Sequence, residues 1–124
     1  MSIGGRSRVI LRASYSYEDL LRDCLYQIFQ ARVSRDGAAY KSAIEALLAL
    51  LAPPLRRRVV EDPRVRRAGA ELERLAQRLP KMLDPMDTRQ LYGQMRVWGD
   101  VVLEVIIDVL YEAGLLIREK FEYR

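Results

Sequence analysis

The 124-residue chain predicts a mainly helical fold, a bundle of four or five helices around a central C-terminal helix, with a short terminal segment of strand character at each end. Three observations carry that prediction. Half of the residues are hydrophobic but only 8% are aromatic, the balance of a helical protein rich in Leu, Val and Ala. Seven Gly, five Pro, one Thr and no Asn leave turn-rich all-β architectures without their raw material. The stretch Leu91 to Leu110, LYGQMRVWGDVVLEVIIDVL, is the most apolar helical pattern in the chain, and the rest must be fitted around it.

The elements follow in order. Residues 1–14 hold a Gly-Gly pair and then RVILRAS, a β-branched run that reads as a strand or an ordered arm. Ser16 caps a first helix and makes a capping-box pattern with Asp19, and Leu20, Leu21, Cys24, Leu25, Ile28 and Phe29 supply its buried stripe as far as about Val33. Ser34, Arg35, Asp36 and Gly37 are turn residues, with Asp36 placed to cap a second helix over about Ala38 to Ala52. Tyr40, Ala43, Ile44, Leu47, Leu48 and Leu51 share one face of it, and Pro53-Pro54 stops it. LRRRVV suits a brief helix. Asp62-Pro63 is then an N-cap followed by proline at the first helical position, opening a third main helix to about Leu79 with Val65, Leu72, Leu75, Ala76 and Leu79 inward.

Asp84-Pro85 repeats that start signal and opens the long element, residues 85–112, in which Gly93 or Gly99 is a candidate break. Leu91, Met95, Trp98, Val102, Val105 and Val109 lie on one face, while Leu103, Ile106, Ile107 and Leu110 form a second apolar face beside it. A chain this small has few helices to spare for that second face. Either the other helices of one subunit surround the element or one face docks against a second copy; the second is expected, with Leu103, Ile106, Ile107 and Leu110 as the interface of a homodimer. Gly114 stands where a helix-ending glycine belongs, and in 115–124 the apolar residues Leu115, Ile117, Phe121 and Tyr123 take strand spacing, so this tail is a partner for Arg8 to Ala13. The length allows one domain, residues 1–124.

Charge is polarised along the chain. Residues 55–81 hold eight Arg and Lys81 against Glu61, Asp62, Glu71 and Glu73, a local net charge of +5, while residues 82–124 come to −3. Arg56, Arg57, Arg58, Arg64, Arg66 and Arg67 are candidate phosphate contacts, since guanidinium pairs bidentately with phosphate. No aromatic is interleaved with them to stack a base. Asp100, Glu104, Asp108 and Glu112 form an acidic ridge of like charges one helical turn apart, which calls for arginines opposite, from the 56–67 cluster of this chain or of a second copy. A metal would need acids from several helices and usually His, and the chain has no His.

The closing stretch YEAGLLIREKFEYR resembles the end of a winged-helix module, a helix ending in E-A-G-L and then a charged strand. The resemblance implies a helix that presents polar residues to the major groove. Here the corresponding Val101 to Ile107 is VVLEVII, which argues instead for a core helix closed by a glycine.

The single Cys24 excludes an internal disulfide and reads as a small core hydrophobe in a reducing, cytoplasmic compartment. The abundance of Arg, 18 against three Lys, is thermophile-like or reflects a GC-rich genome. No signal peptide is apparent, and the most apolar window, Val97 to Ile117, contains four acids and so suits protein interior rather than membrane. With no His and no phosphate-binding glycine loop, neither a catalytic constellation nor a cofactor or small-molecule substrate is expected. The expectation is a non-enzymatic helical interaction or assembly protein, a homo-oligomer; the alternative is a nucleic-acid-binding accessory protein that uses the Arg cluster.

Overall fold

A computed structural model describes residues 15–116, and these form five helices and no strand. The strand-like segments read at 1–14 and 117–124 lie outside the described residues. Helix α1 spans Tyr17–Val33, α2 Gly37–Leu50, α3 Pro53–Val60, α4 Pro63–Arg78 and α5 Pro85–Glu112, with a single 3-10 turn at Leu79–Lys81 after α4.

Four of the five helices begin at a side-chain cap. Ser16 accepts from the Asp19 amide while the Asp19 carboxylate accepts from the Ser16 amide, which completes the capping box of α1. Asp36 accepts from the amides of Ala38 and Ala39, Asp62 from Arg64 and Asp84 from Met86, so three aspartates start the three longest remaining helices. Pro63 and Pro85 occupy the first helical position, where a missing N–H costs nothing. Pro53 and Pro54 do more than stop α2: they open α3.

The long helix α5 is continuous through Gly93 and Gly99. Its end is closed by Gly114, which adopts φ of 76°; the Gly114 amide donates to the Tyr111 carbonyl and the Leu115 amide to the Leu110 carbonyl. A helix this apolar must be covered on two sides, and α2 and α4 cover it. Tyr92, Met95 and Gly99 face α2, where a Cβ on Gly37 would lie 2.9 Å from Met95 Cβ and one on Gly99 2.7 Å from the Tyr40 ring. Trp98 lies under Arg67 of α4, 5.3 Å from ring centroid to guanidinium carbon, and Val105 and Val109 face α3 and the start of α4. Helix α1 packs against α2. A single core joins all five helices, including Leu25 and Ile28 of α1, Leu47 of α2, Val59 of α3, Leu75 of α4 and Ile106 of α5. No described helix is long and apolar enough to cross a membrane.

Leu103, Ile106 and Leu110 follow Gly99 at helical spacing, on the flank toward α2, and all three are buried within one chain; Ile107 is half-buried. Val102 and Val105 are buried as well, so this stretch of α5 packs as a core helix.

The two central glycines of α5 should respond oppositely to alanine. A Cβ at Gly93 meets nothing within 4 Å, so Gly93→Ala should raise unfolding free energy by about 0.5–1 kcal/mol. At Gly99 it would strike the Tyr40 ring, and Gly99→Ala should lower it by about 1–3 kcal/mol. Urea titration of the two variants measures both; equal effects would contradict the close α2–α5 approach.

Candidate anion-binding site

Where the turn between α1 and α2 meets the N-terminal half of α5, a pocket of about 260 Å³ opens, lined by Arg32, Arg35, Asp36, Gly37, Tyr40, Arg89, Tyr92, Gly93 and Arg96. Its floor is set by sequence. Only glycine at position 37 lets the start of α2 rest on the Tyr92 backbone, because a Cβ there would sit 2.9 Å from the Tyr92 carbonyl oxygen. The same close approach at Gly99 brings the Tyr40 ring down onto α5 beside Asp100.

Below the pocket, three side chains from three helices lock together. Arg32 of α1 donates to both Asp100 oxygens, at 2.7 and 2.9 Å, and the Tyr40 hydroxyl of α2 donates to one of them at 2.6 Å. Burial opposes the ionised Asp100, but the hydrogen bonds from Arg32 and Tyr40 and the charge of Arg32 outweigh it, and its pKa stays below the usual carboxylate value. Burial, then the hydrogen bond to Asp100, pushes the Tyr40 hydroxyl well above the usual tyrosine value, so it remains a proton donor. The hydrogen bond to Asp100 likewise raises Arg32.

The other arginines of the pocket are differently placed. Arg35, Arg89 and Arg96 are exposed and have no carboxylate within ion-pair distance among the described residues. The carboxylate of Asp36 is spent on the N-terminus of α2. Arg35 also holds φ of 66°, the left-handed region that costs a non-glycine residue about 1–2 kcal/mol.

The arginine cluster read from sequence is dispersed. Arg56 donates to the carbonyls of Leu48, Ala49 and Leu51 and so closes the C-terminus of α2. Arg58 pairs with Glu112, Arg64 with its own cap residue Asp62, and Arg67 lies over Trp98. Arg57 and Arg66 are exposed, without a carboxylate partner among the described residues. The acidic ridge is shared out in turn: Asp100 takes Arg32 of α1, Glu112 takes Arg58, and Glu104 and Asp108 add a minor attraction for Arg64. A second hollow of about 350 Å³ between Arg58, Arg64, Asp108 and Glu112 has both of its arginines ion-paired, Arg58 with Glu112 and Arg64 with Asp62, and acids in excess. Cys24 is half-buried against the core, and burial raises its thiol pKa, as befits a packing residue.

The arginines that do converge lie between positions 32 and 96, and no local run announced them. The one available signal was Arg89 and Arg96, two turns apart on one face of the long helix. Comparison of the chain with protein-family models, curated proteins and solved structures gives no match.

The depressed pKa of Asp100 gives the locked triad a pH signature. Its stabilisation is complete above the unfolded-state pKa, about 3.9, and is lost as pH falls through the lower folded-state value. Asp100→Asn should therefore unfold more easily than the parent at neutral pH, by about 1–2 kcal/mol given the partial exposure of the pair. In urea titrations across pH the gap should close below about pH 4; a gap that ignores pH would contradict the assignment.

Proposed function

We propose that the protein is a non-enzymatic interaction protein that holds an anionic group of its partner in the pocket between the α1–α2 turn and α5. Arg35 carries the reading. A turn position in the left-handed region favours glycine, yet here it bears an arginine whose side chain lines the pocket with no acid opposite. Strain that a glycine would relieve, kept at a residue lining a cavity, points to work done by the side chain.

The surroundings favour holding over turnover. Tyr40 keeps its proton, Asp36 caps α2 and Asp100 is bound by Arg32 and Tyr40. None of these is poised to exchange a proton with a bound molecule. Exposed apolar side chains neighbour the pocket arginines in sequence: Val33 follows Arg32 and is 75% exposed, and Val97 follows Arg96 and is 62% exposed. Arginines gathered about one pocket are the chemistry of acidic-motif recognition.

A fluorescein-labelled acidic peptide titrated at low salt tests this. Arg35→Gly should bind at least about tenfold more weakly, near 1.4 kcal/mol, while gaining about 1 kcal/mol in unfolding free energy from the relaxed turn. The control Arg57→Gln/Arg66→Gln should bind like the parent. Equal weakening by the control pair, or a parent that binds neither this peptide nor a phosphomonoester, would overturn the proposal.

A further inference from the structure

We infer that the anion this pocket is shaped for is a phosphomonoester carried on a small flat group, with the phosphoryl oxygens on Arg35, Arg89 and Arg96 and the flat group against Tyr92. This rests on the anion-binding reading above and narrows it to one ligand chemistry.

Charge is the first argument. A carboxylate brings one negative charge and two oxygens, too few for three guanidinium groups with no carboxylate within ion-pair distance among the described residues, where Arg96 feels the charge of Asp100 and Asp36 caps α2. A phosphomonoester brings about −1.5 to −2 at neutral pH and three strong acceptor oxygens. Guanidinium forks match those oxygens in pairs. The three arginines line the pocket from two elements, Arg35 from the α1–α2 turn and Arg89 and Arg96 from positions two turns apart on α5.

The remaining lining residues set the orientation. Arg32 is held by Asp100 and contributes a neutralised pair rather than a grip. Asp36 is the one carboxylate in the lining, and it repels an anion from the α2 end of the pocket toward Arg89 and Arg96.

Shape supplies the second argument. Gly37, Gly93 and the two tyrosines make much of the wall carbon, which a bare phosphate would leave uncovered. The volume of about 260 Å³ falls just under the range of about 300–1,000 Å³ typical of drug-sized ligands, which suits a phosphoryl group with one attached ring. Tyr92 is half-buried and offers that ring a fixed surface. Gly93 leaves the mouth open, since a Cβ there would meet nothing within 4 Å.

That last feature provides a blocking variant that alters no arginine. Calorimetric titration of the full chain with phenyl phosphate, adenosine monophosphate, phenylacetate and a hexanucleotide lacking terminal phosphates tests the inference. Both phosphomonoesters should bind at least about tenfold tighter than phenylacetate, and Gly93→Leu and Arg89→Gln/Arg96→Gln should each weaken them about tenfold or more with circular dichroism unchanged. Equal binding of phenylacetate, tighter binding of the hexanucleotide, or indifference to both variants would overturn it. Should the acidic peptide of the preceding test still bind through Arg35 while phosphomonoesters show no preference, only this narrower inference falls. If neither peptide nor phosphomonoester binds, the anion-binding reading falls with it.

Discussion

The structure depends on the need to cover a long helix that is apolar on two flanks. Burying a Leu, Ile or Val side chain is worth about 1.5–3 kcal/mol, and α5 has nine buried positions, from Leu91 to Leu110. No single neighbour can cover an arc that wide. Helix α2 takes the flank of Gly99 and Tyr92, α4 takes the flank of Trp98, and α3 closes the corner by Val105 and Val109. What is left outward is the narrow arc of Met86, Gly93, Val97 and Glu104, all exposed. The pocket sits along one edge of that arc because α2 starts there.

The two close approaches of α2 to α5 couple packing to the site. Gly37 and Gly99 remove the side chains that would hold the helices apart, and each is matched to a particular neighbour, the Tyr92 backbone in one case and the Tyr40 ring in the other. Tyr40 is thereby buried to within 1% and still reaches Asp100 with its hydroxyl. Arg32 adds the third helix to the same carboxylate. The turn joining α1 to α2 is thus held at both ends, and Arg35 sits inside it in a conformation it would not choose freely. Lys41 of α2 performs a related task, reaching Glu45 of its own helix and Glu73 of α4.

Local chemistry was legible in the sequence and long-range partnership was not. Ser16, Asp36, Asp62 and Asp84 act on amides two or three residues away, so their roles could be read from the residues that follow them. Gly114 closes its helix for the same reason. The cover of Leu103, Ile106 and Leu110 depends on where α2 docks, which no window of sequence contains. Arg56 looked like one of a basic run, yet it spends its guanidinium on carbonyls of the preceding helix. The pocket arginines were missed because Arg32 and Arg35 are brought to Arg89 and Arg96 only by the fold.

Within one chain, α2, α3 and α4 cover both flanks of α5. The dependence of the unfolding temperature on protein concentration, measured by calorimetry over about three decades at high salt, shows whether that cover suffices. One midpoint at every concentration is the expected result. A midpoint that climbs with concentration would contradict it, because a second copy would then contribute to the folded unit.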